Sequence, residues 1–221
     1  MMFGILFSLF IVLIFIGIFA IVAFDLFGLI EKENQKFIQH WEHIASHLTF
    51  QIVITRAERS SIVATLTGKI HHFDCSMVAE ISRGREHTIQ SVKFEVHHPQ
   101  SLQLDLGIGP QGKLVSFLSL FAGREIALED EFFDKHFFVQ GRDAATINQF
   151  LTLERKTAIY NAKQAITPVQ LGITDSLIIG YLNTEKPNLQ QVIYVMNQLV
   201  AVEATFFANP VQKEPDFWDS V

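Results

Sequence analysis

Charge is missing from the start of this chain, cysteine is nearly missing from all of it, and no catalytic signature occurs anywhere. Met1 to Phe24 hold no ionisable side chain, and Asp25 is the first. The same stretch is not expected to be a cleaved secretory leader. No Lys or Arg precedes the apolar run, the run exceeds the roughly 7–15 residues of a leader core, and Ala20 and Ala23 are spaced A-x-x-A instead of A-x-A. The single cysteine, Cys75, cannot form an internal disulfide, which argues against a disulfide-stapled exported domain. Seventeen Lys and Arg against twenty-three Asp and Glu give a net charge of −6, and no cluster of basic residues follows the apolar run. This balance argues against nucleic acid as a partner, and anionic lipid headgroups find little to attract.

What is present begins with that apolar run. As a helix it would reach about 36 Å, enough to cross a hydrocarbon core of about 30 Å. Ser8 is its only polar side chain, and six phenylalanines surround it. The run predicts an uncleaved transmembrane anchor over residues 1–29, meeting membrane lipid through residues 1–24. Lys32 and Lys36 follow it and no basic side chain precedes it. The positive-inside rule then places the remainder in the cytoplasm, on a single-pass protein of the bacterial inner (plasma) membrane. Residues 30–207 are expected to form one soluble domain. Residues 208–221, with Pro210 and Pro215 and no hydrophobic period, are expected to be a disordered tail.

Periodicity predicts an α+β domain: an antiparallel sheet with helices packed against it. Phe37, Trp41, Ile44, Ala45 and Leu48 recur at helical spacing over residues 30–48. The period then changes to two. Strands are predicted from Phe50, over Ile62–His72 with Gly68 marking a bulge or close packing, over Ser76–Ser82, Thr88–His97 and Leu102–Ile108, and over Phe132–Gly141. Gly107-Ile-Gly-Pro-Gln-Gly reads as a turn, since it carries Pro110 and opens no helix, unlike a dinucleotide-binding loop. Asp143 is placed to cap a helix through Leu151, and Thr152 to start another that Pro168 ends. Val169–Ile173 and Leu177–Leu182 make a hairpin around Thr174-Asp175-Ser176. Asn188 opens a last helix with Val192, Val195, Met196, Leu199 and Val202 on one face.

The run Phe133-Asp134-Lys135-His136-Phe137-Phe138-Val139-Gln140-Gly141-Arg142-Asp143 has the form F-D-x-x-F-x-V-x-G-x-D and precedes Phe150-Leu151-Thr152 and Glu154-Arg155. It resembles a pattern of uncharacterised bacterial membrane-anchored α+β proteins, over roughly Trp41 to Phe207. The resemblance implies a sheet before the motif and a hairpin and helix after it. It brings no activity and no catalytic residue. The residues also account for themselves: Phe133, Phe137 and Val139 alternate toward a core, Gly141 permits a tight exit and Asp143 caps a helix.

Histidine is the one unusual feature, with nine in the chain. His40, His43 and His47 share one helical face and are the candidate metal ligands, although the H-E-x-x-H order is absent. The plainer reading has them edging the apolar face beside Trp41. His71-His72 and His97-His98 straddle strand ends, where alternation sends one of each pair to a common face; exposed strand ends are the simpler account. Cys75 reads as an inert core thiol. Catalytic residues remain unassigned, and no cofactor is implied. The leading expectation is a non-enzymatic, membrane-anchored domain facing the cytoplasm that meets an unidentified protein partner through a sheet face or through the tail, whose Phe217 and Trp218 would anchor it. The alternative is a metal-dependent hydrolase or metal sensor built on the histidines.

Overall fold

The computed structural model describes residues 17, 19, 28–57, 61–83, 88–111, 124–183 and 187–207. The chain divides into two compact units, Met1–Ile44 and Ala45–Val221. Helix α1 is described over residues 28–48. Asn34, Phe37, Trp41 and Ile44 recur along it at three- and four-residue intervals and are buried, while Lys32, Glu33, Lys36 and Gln39 are exposed. That two-sided character is what the period of 3.6 dictates.

Among the described residues no helix is long and apolar enough to cross a membrane, so the transmembrane span and the single-pass inner-membrane location built on it are withdrawn. The segment on which they rested, residues 1–24, lies outside the described residues except for Gly17 and Phe19. The tail expected to be disordered, residues 208–221, also lies outside them.

The second unit is α+β, as alternation predicts. Its strands are β1 (Gln51–Ala57), β2 (Ser61–Ile70), β3 (Phe73–Arg83), β4 (Thr88–His97), β5 (Gly107–Pro110), β6 (Arg124–Glu125), β7 (Phe137–Gly141), β8 (Gln170–Thr174) and β9 (Leu177–Asn183). They form one nine-stranded sheet in the order β1-β2-β3-β4-β9-β8-β5-β7-β6, and every pairing is antiparallel. β1 to β4 are a meander. The chain then crosses to β5, and the β8–β9 hairpin fills the gap between β4 and β5.

The helices are α2 (Glu131–His136), α3 (Ala144–Phe150), α4 (Leu153–Ala165) and α5 (Leu189–Phe207). α5 packs across β4 and β9 and beside α4, and α2 packs on β7. Ile62, Ala64 and Leu66 of β2, Met77 and Ala79 of β3, and Val92, Phe94 and Val96 of β4 are buried on one face of the sheet. Direct pairing of Ala64 with Ala79, and of Ala79 with Val92, keeps that face in register. A one-residue slip would expose all of it.

Gly68 proves to be a close-packing position with no bulge. It pairs directly with Cys75, and a Cβ there would collide with the Phe50 ring.

Three local expectations change. Phe132–Gly141 is not one strand. Asp130 accepts a hydrogen bond from Phe133 N (3.0 Å) and starts α2, so only Phe137–Gly141 is extended. Leu102–Leu106 keeps the predicted alternation of burial without a ladder, because Gln103 and Asp105 have φ of 57° and 52°. Gly107–Pro110 is strand β5, keeping the extended Gly107 and Ile108 of the predicted strand and continuing through Gly109 and Pro110 where a turn was expected; it pairs with β7 along its length and with β8 only at Gly107 and Ile108. Pro110 therefore sits where only one ladder neighbour exists, which its missing N–H tolerates.

Candidate interaction surface

The most deeply buried polar contact joins β4's end to α5. Both side chains of His98 and Glu203 are fully buried, with Nδ1 2.6 Å from a Glu203 carboxylate oxygen. The other ring nitrogen lies 2.9 Å from the Thr174 carbonyl, which only accepts, so Nε2 carries hydrogen. The ring packs against Phe206 and Phe207 at 5.9 and 5.6 Å between centroids. With no exposed surface, the pair is a clamp between sheet and helix.

Asp175, in the β8–β9 turn, holds the crossing segment. Its carboxylate accepts hydrogen bonds from Leu104 N (3.2 Å), Asp105 N (2.8 Å) and Leu106 N (2.8 Å). Backbone bonds from His98 N to Ser176 O and from Leu102 N to Asp175 O, both 2.9 Å, complete the seam. Three converging donors explain why residues 102–106 leave the ladder.

On the sheet face opposite the core, Ser76 donates to Glu95 at 2.6 Å, Lys93 pairs with Glu95 at 2.9 Å, and His97 Nε2 lies 3.5 Å from Ser76 Oγ. Burial pushes the Glu95 carboxyl up, but Lys93 and Ser76 outweigh it and leave it below its ordinary value. The residue types suggest acyl transfer, yet the roles are wrong. Glu95 engages the hydroxyl itself and does not orient the imidazole, so it competes with the base for the nucleophile's proton. Cys75 is buried, its thiol donates to Phe73 O at 3.5 Å, and burial pushes it up to about 11. A thiol held protonated is a poor nucleophile.

The expected metal ligands do not assemble. Among the described residues no group of three or more His, Cys, Asp or Glu side chains could hold a metal ion. His40 stands edge-on to the Trp41 ring, 5.4 Å between centroids, while His43 and His47 are exposed. The other pairs part as well. His71 and His72 are exposed at the β2–β3 turn, His97 faces the Ser76 cluster, and His98 turns into the core.

Two surfaces remain. The first is the edge of the sheet at β1, Gln51-Ile-Val-Ile-Thr-Arg-Ala, which pairs only with β2 among the described residues. Val53 is 62% exposed there. Proline, lysine and glycine, which commonly blunt such edges or weaken a strand's pairing, are all missing from β1.

The second surface is aromatic. Phe132 and His136 of α2 and Tyr160 of α4 form a triangle with centroids 4.7 to 5.2 Å apart. Phe132 is 55% exposed, and Leu153, on the same stripe of α4 as Tyr160, is 80% exposed. Beside them Lys163 donates to His136 O at 3.2 Å and lies 4.9 Å from the centre of the Phe137 ring. Burial lowers its pKa. Sequence reasoning missed this surface because Phe132 was assigned to a strand, and it missed the role of Arg155. That guanidinium donates to Phe150 O, Thr205 O and Phe206 O at 2.7 to 3.2 Å, binding the ends of α3 and α5 to the start of α4.

No family model matches this chain, and no curated protein matches it. Among solved structures, the mycobacterial trehalose monomycolate transport factor A, TtfA, aligns with 80% of this chain and 97% of its own, at 8% identity and a TM-score of 0.49. A likeness of that size carries no argument about what this chain does.

Proposed function

We propose that this chain is a non-enzymatic protein-interaction domain whose partner adds an extended segment to the edge of β1. The open edge carries the reading. A row of backbone donors and acceptors beside the β-branched residues Ile52, Val53, Ile54 and Thr55 offers main-chain affinity, with the exposed Val53 side chain as a specificity contact. The misassigned roles in the Ser76 cluster and the protonated, buried Cys75 support the non-enzymatic half of the proposal.

Site-specific photo-crosslinking in cells tests it. A photoreactive side chain at position 53 is expected to give one discrete adduct that a Thr55→Lys substitution abolishes. The same probe at the exposed Glu154 is expected to give none. Identical adduct patterns from positions 53 and 154, or none from either, would refute the proposal.

A further inference from the structure

We propose that the aromatic triangle of Phe132, His136 and Tyr160, with Lys163 beside it, is the docking site for this chain's own acidic–aromatic segment Glu214-Pro-Asp-Phe-Trp-Asp. The site is independent of the β1 edge.

Three observations select this occupant. The first is attachment. Arg155 fixes the last turn of α5 to the first turn of α4 through Thr205 O (3.2 Å) and Phe206 O (2.9 Å). Tyr160 lies five residues further along α4, a rise of about 7.5 Å. Phe217 is ten residues beyond Phe207, a span of up to about 33 Å when extended. The last turn of α5 therefore lies beside the start of α4, and the residues beyond Phe207 are long enough to reach the triangle.

The second is charge. Lys163 is held by a carbonyl and a ring face, and among the described residues no carboxylate lies within ion-pair distance of it. Lys156, by contrast, already has Asp130 at 3.0 Å. Glu214, Asp216 and Asp219 bracket Phe217 and Trp218 and would bring carboxylates to Lys163.

The third is chemistry. Ring faces at Phe132 and Tyr160, with Leu153 at 80% exposure beyond them, suit two adjacent aromatic side chains better than an aliphatic or purely ionic ligand. Attachment through the chain itself raises the local concentration of the segment, so modest contacts suffice.

Tryptophan fluorescence of the full chain tests the proposal. The chain has two tryptophans, and Trp41 is fully buried, so acrylamide quenching reports on Trp218. Expected is a protected, blue-shifted Trp218 at every protein concentration. Phe132→Ala, Lys163→Glu and Phe217→Ala should each raise the quenching constant several-fold. Lys163→Glu combined with Asp216→Lys and Asp219→Lys should restore protection. Phe132, at 55% exposure, serves as a variant that does not challenge the core. Quenching of wild-type Trp218 like that of free indole, or protection indifferent to Phe132→Ala and Lys163→Glu, would overturn the proposal. Protection lost on dilution would overturn it too, since the occupant would then belong to a second copy.

Discussion

The Glu203 carboxylate meets the His98 imidazole at 2.6 Å with neither side chain exposed, although 105 residues separate them in the chain. Removing one partner from such a pair leaves a buried group uncompensated. Glu203→Ala is expected to cost about 3–5 kcal/mol. His98→Ala should cost a similar amount, and the double variant much less than the sum of the two, because the second removal takes away a group already stranded. Glu203→Gln keeps an oxygen acceptor and should fall between wild type and Glu203→Ala. Urea unfolding of the four variants gives all these values. Simple additivity would mean that the pair does not act as one clamp.

The buried thiol gives a sign for the alkaline limb. Burial, the first cause, and the nearby Asp74 and Glu203 carboxylates lift Cys75 from its ordinary 9.0 to about 11 in the folded chain. The unfolded chain loses that proton first. The contribution is therefore fully present below pH 9 and is lost as pH rises through about 11. Stability measured across that window should fall less steeply for Cys75→Ala than for the wild type. At pH 8 a thiol reagent should label the native protein only as fast as it unfolds.

Much of the sheet was legible because a half-buried strand must alternate. Val92, Phe94 and Val96 could face nothing but the core once Thr88–His97 was read as a strand, and pairing with Ala79, Met77 and Cys75 follows from that register. The α5 stripe was legible for the analogous reason at period 3.6. Phe132–Gly141 was misread because its apolar pattern suits either period, and the choice was made outside it, by the Asp130 cap. His98–Glu203 had a local signal that went unused. Glu203 stands between Leu199 and Phe206 on the buried stripe, and an acid there demands a partner. The identity of that partner depends on the β4–β5 crossing and could not be read locally. The aromatic triangle was invisible for a related reason: α2 had first to be a helix, and then a neighbour of the predicted α4.

Asp175 offers a second test of that crossing. Its carboxylate takes three backbone N–H groups, from Leu104, Asp105 and Leu106, that have no strand to bond to. Asp175→Ala should cost on the order of 2–3 kcal/mol. It should also release the amides of residues 104–106 to hydrogen exchange, while those of β3 and β4 keep their order of protection. Asp175→Asn retains one acceptor oxygen and should lose less. Protection unchanged at residues 104–106 would show that the backbone seam alone holds the segment.

Gly141 closes the F-D-x-x-F-x-V-x-G-x-D run at the point where the chain leaves β7 for α3. The glycine is required by a side chain arriving from the next helix. A Cβ at this position would lie 2.6 Å from Cγ1 and 2.7 Å from Cδ1 of Ile147, which is fully buried. Asp143 fixes that approach by accepting from Thr146 N at 2.8 Å, so α3 cannot simply step back. Gly141→Ala is therefore expected to destabilise the fold by about 1–3 kcal/mol through overpacking. Ile147→Val removes the clashing Cδ1 methyl and should recover part of that loss in the Gly141→Ala background, although by itself it costs about 0.5–1.5 kcal/mol. Denaturant midpoints of the four combinations separate the two effects. A Gly141→Ala cost that Ile147→Val does not reduce would place the strain in the backbone and not in the contact with α3.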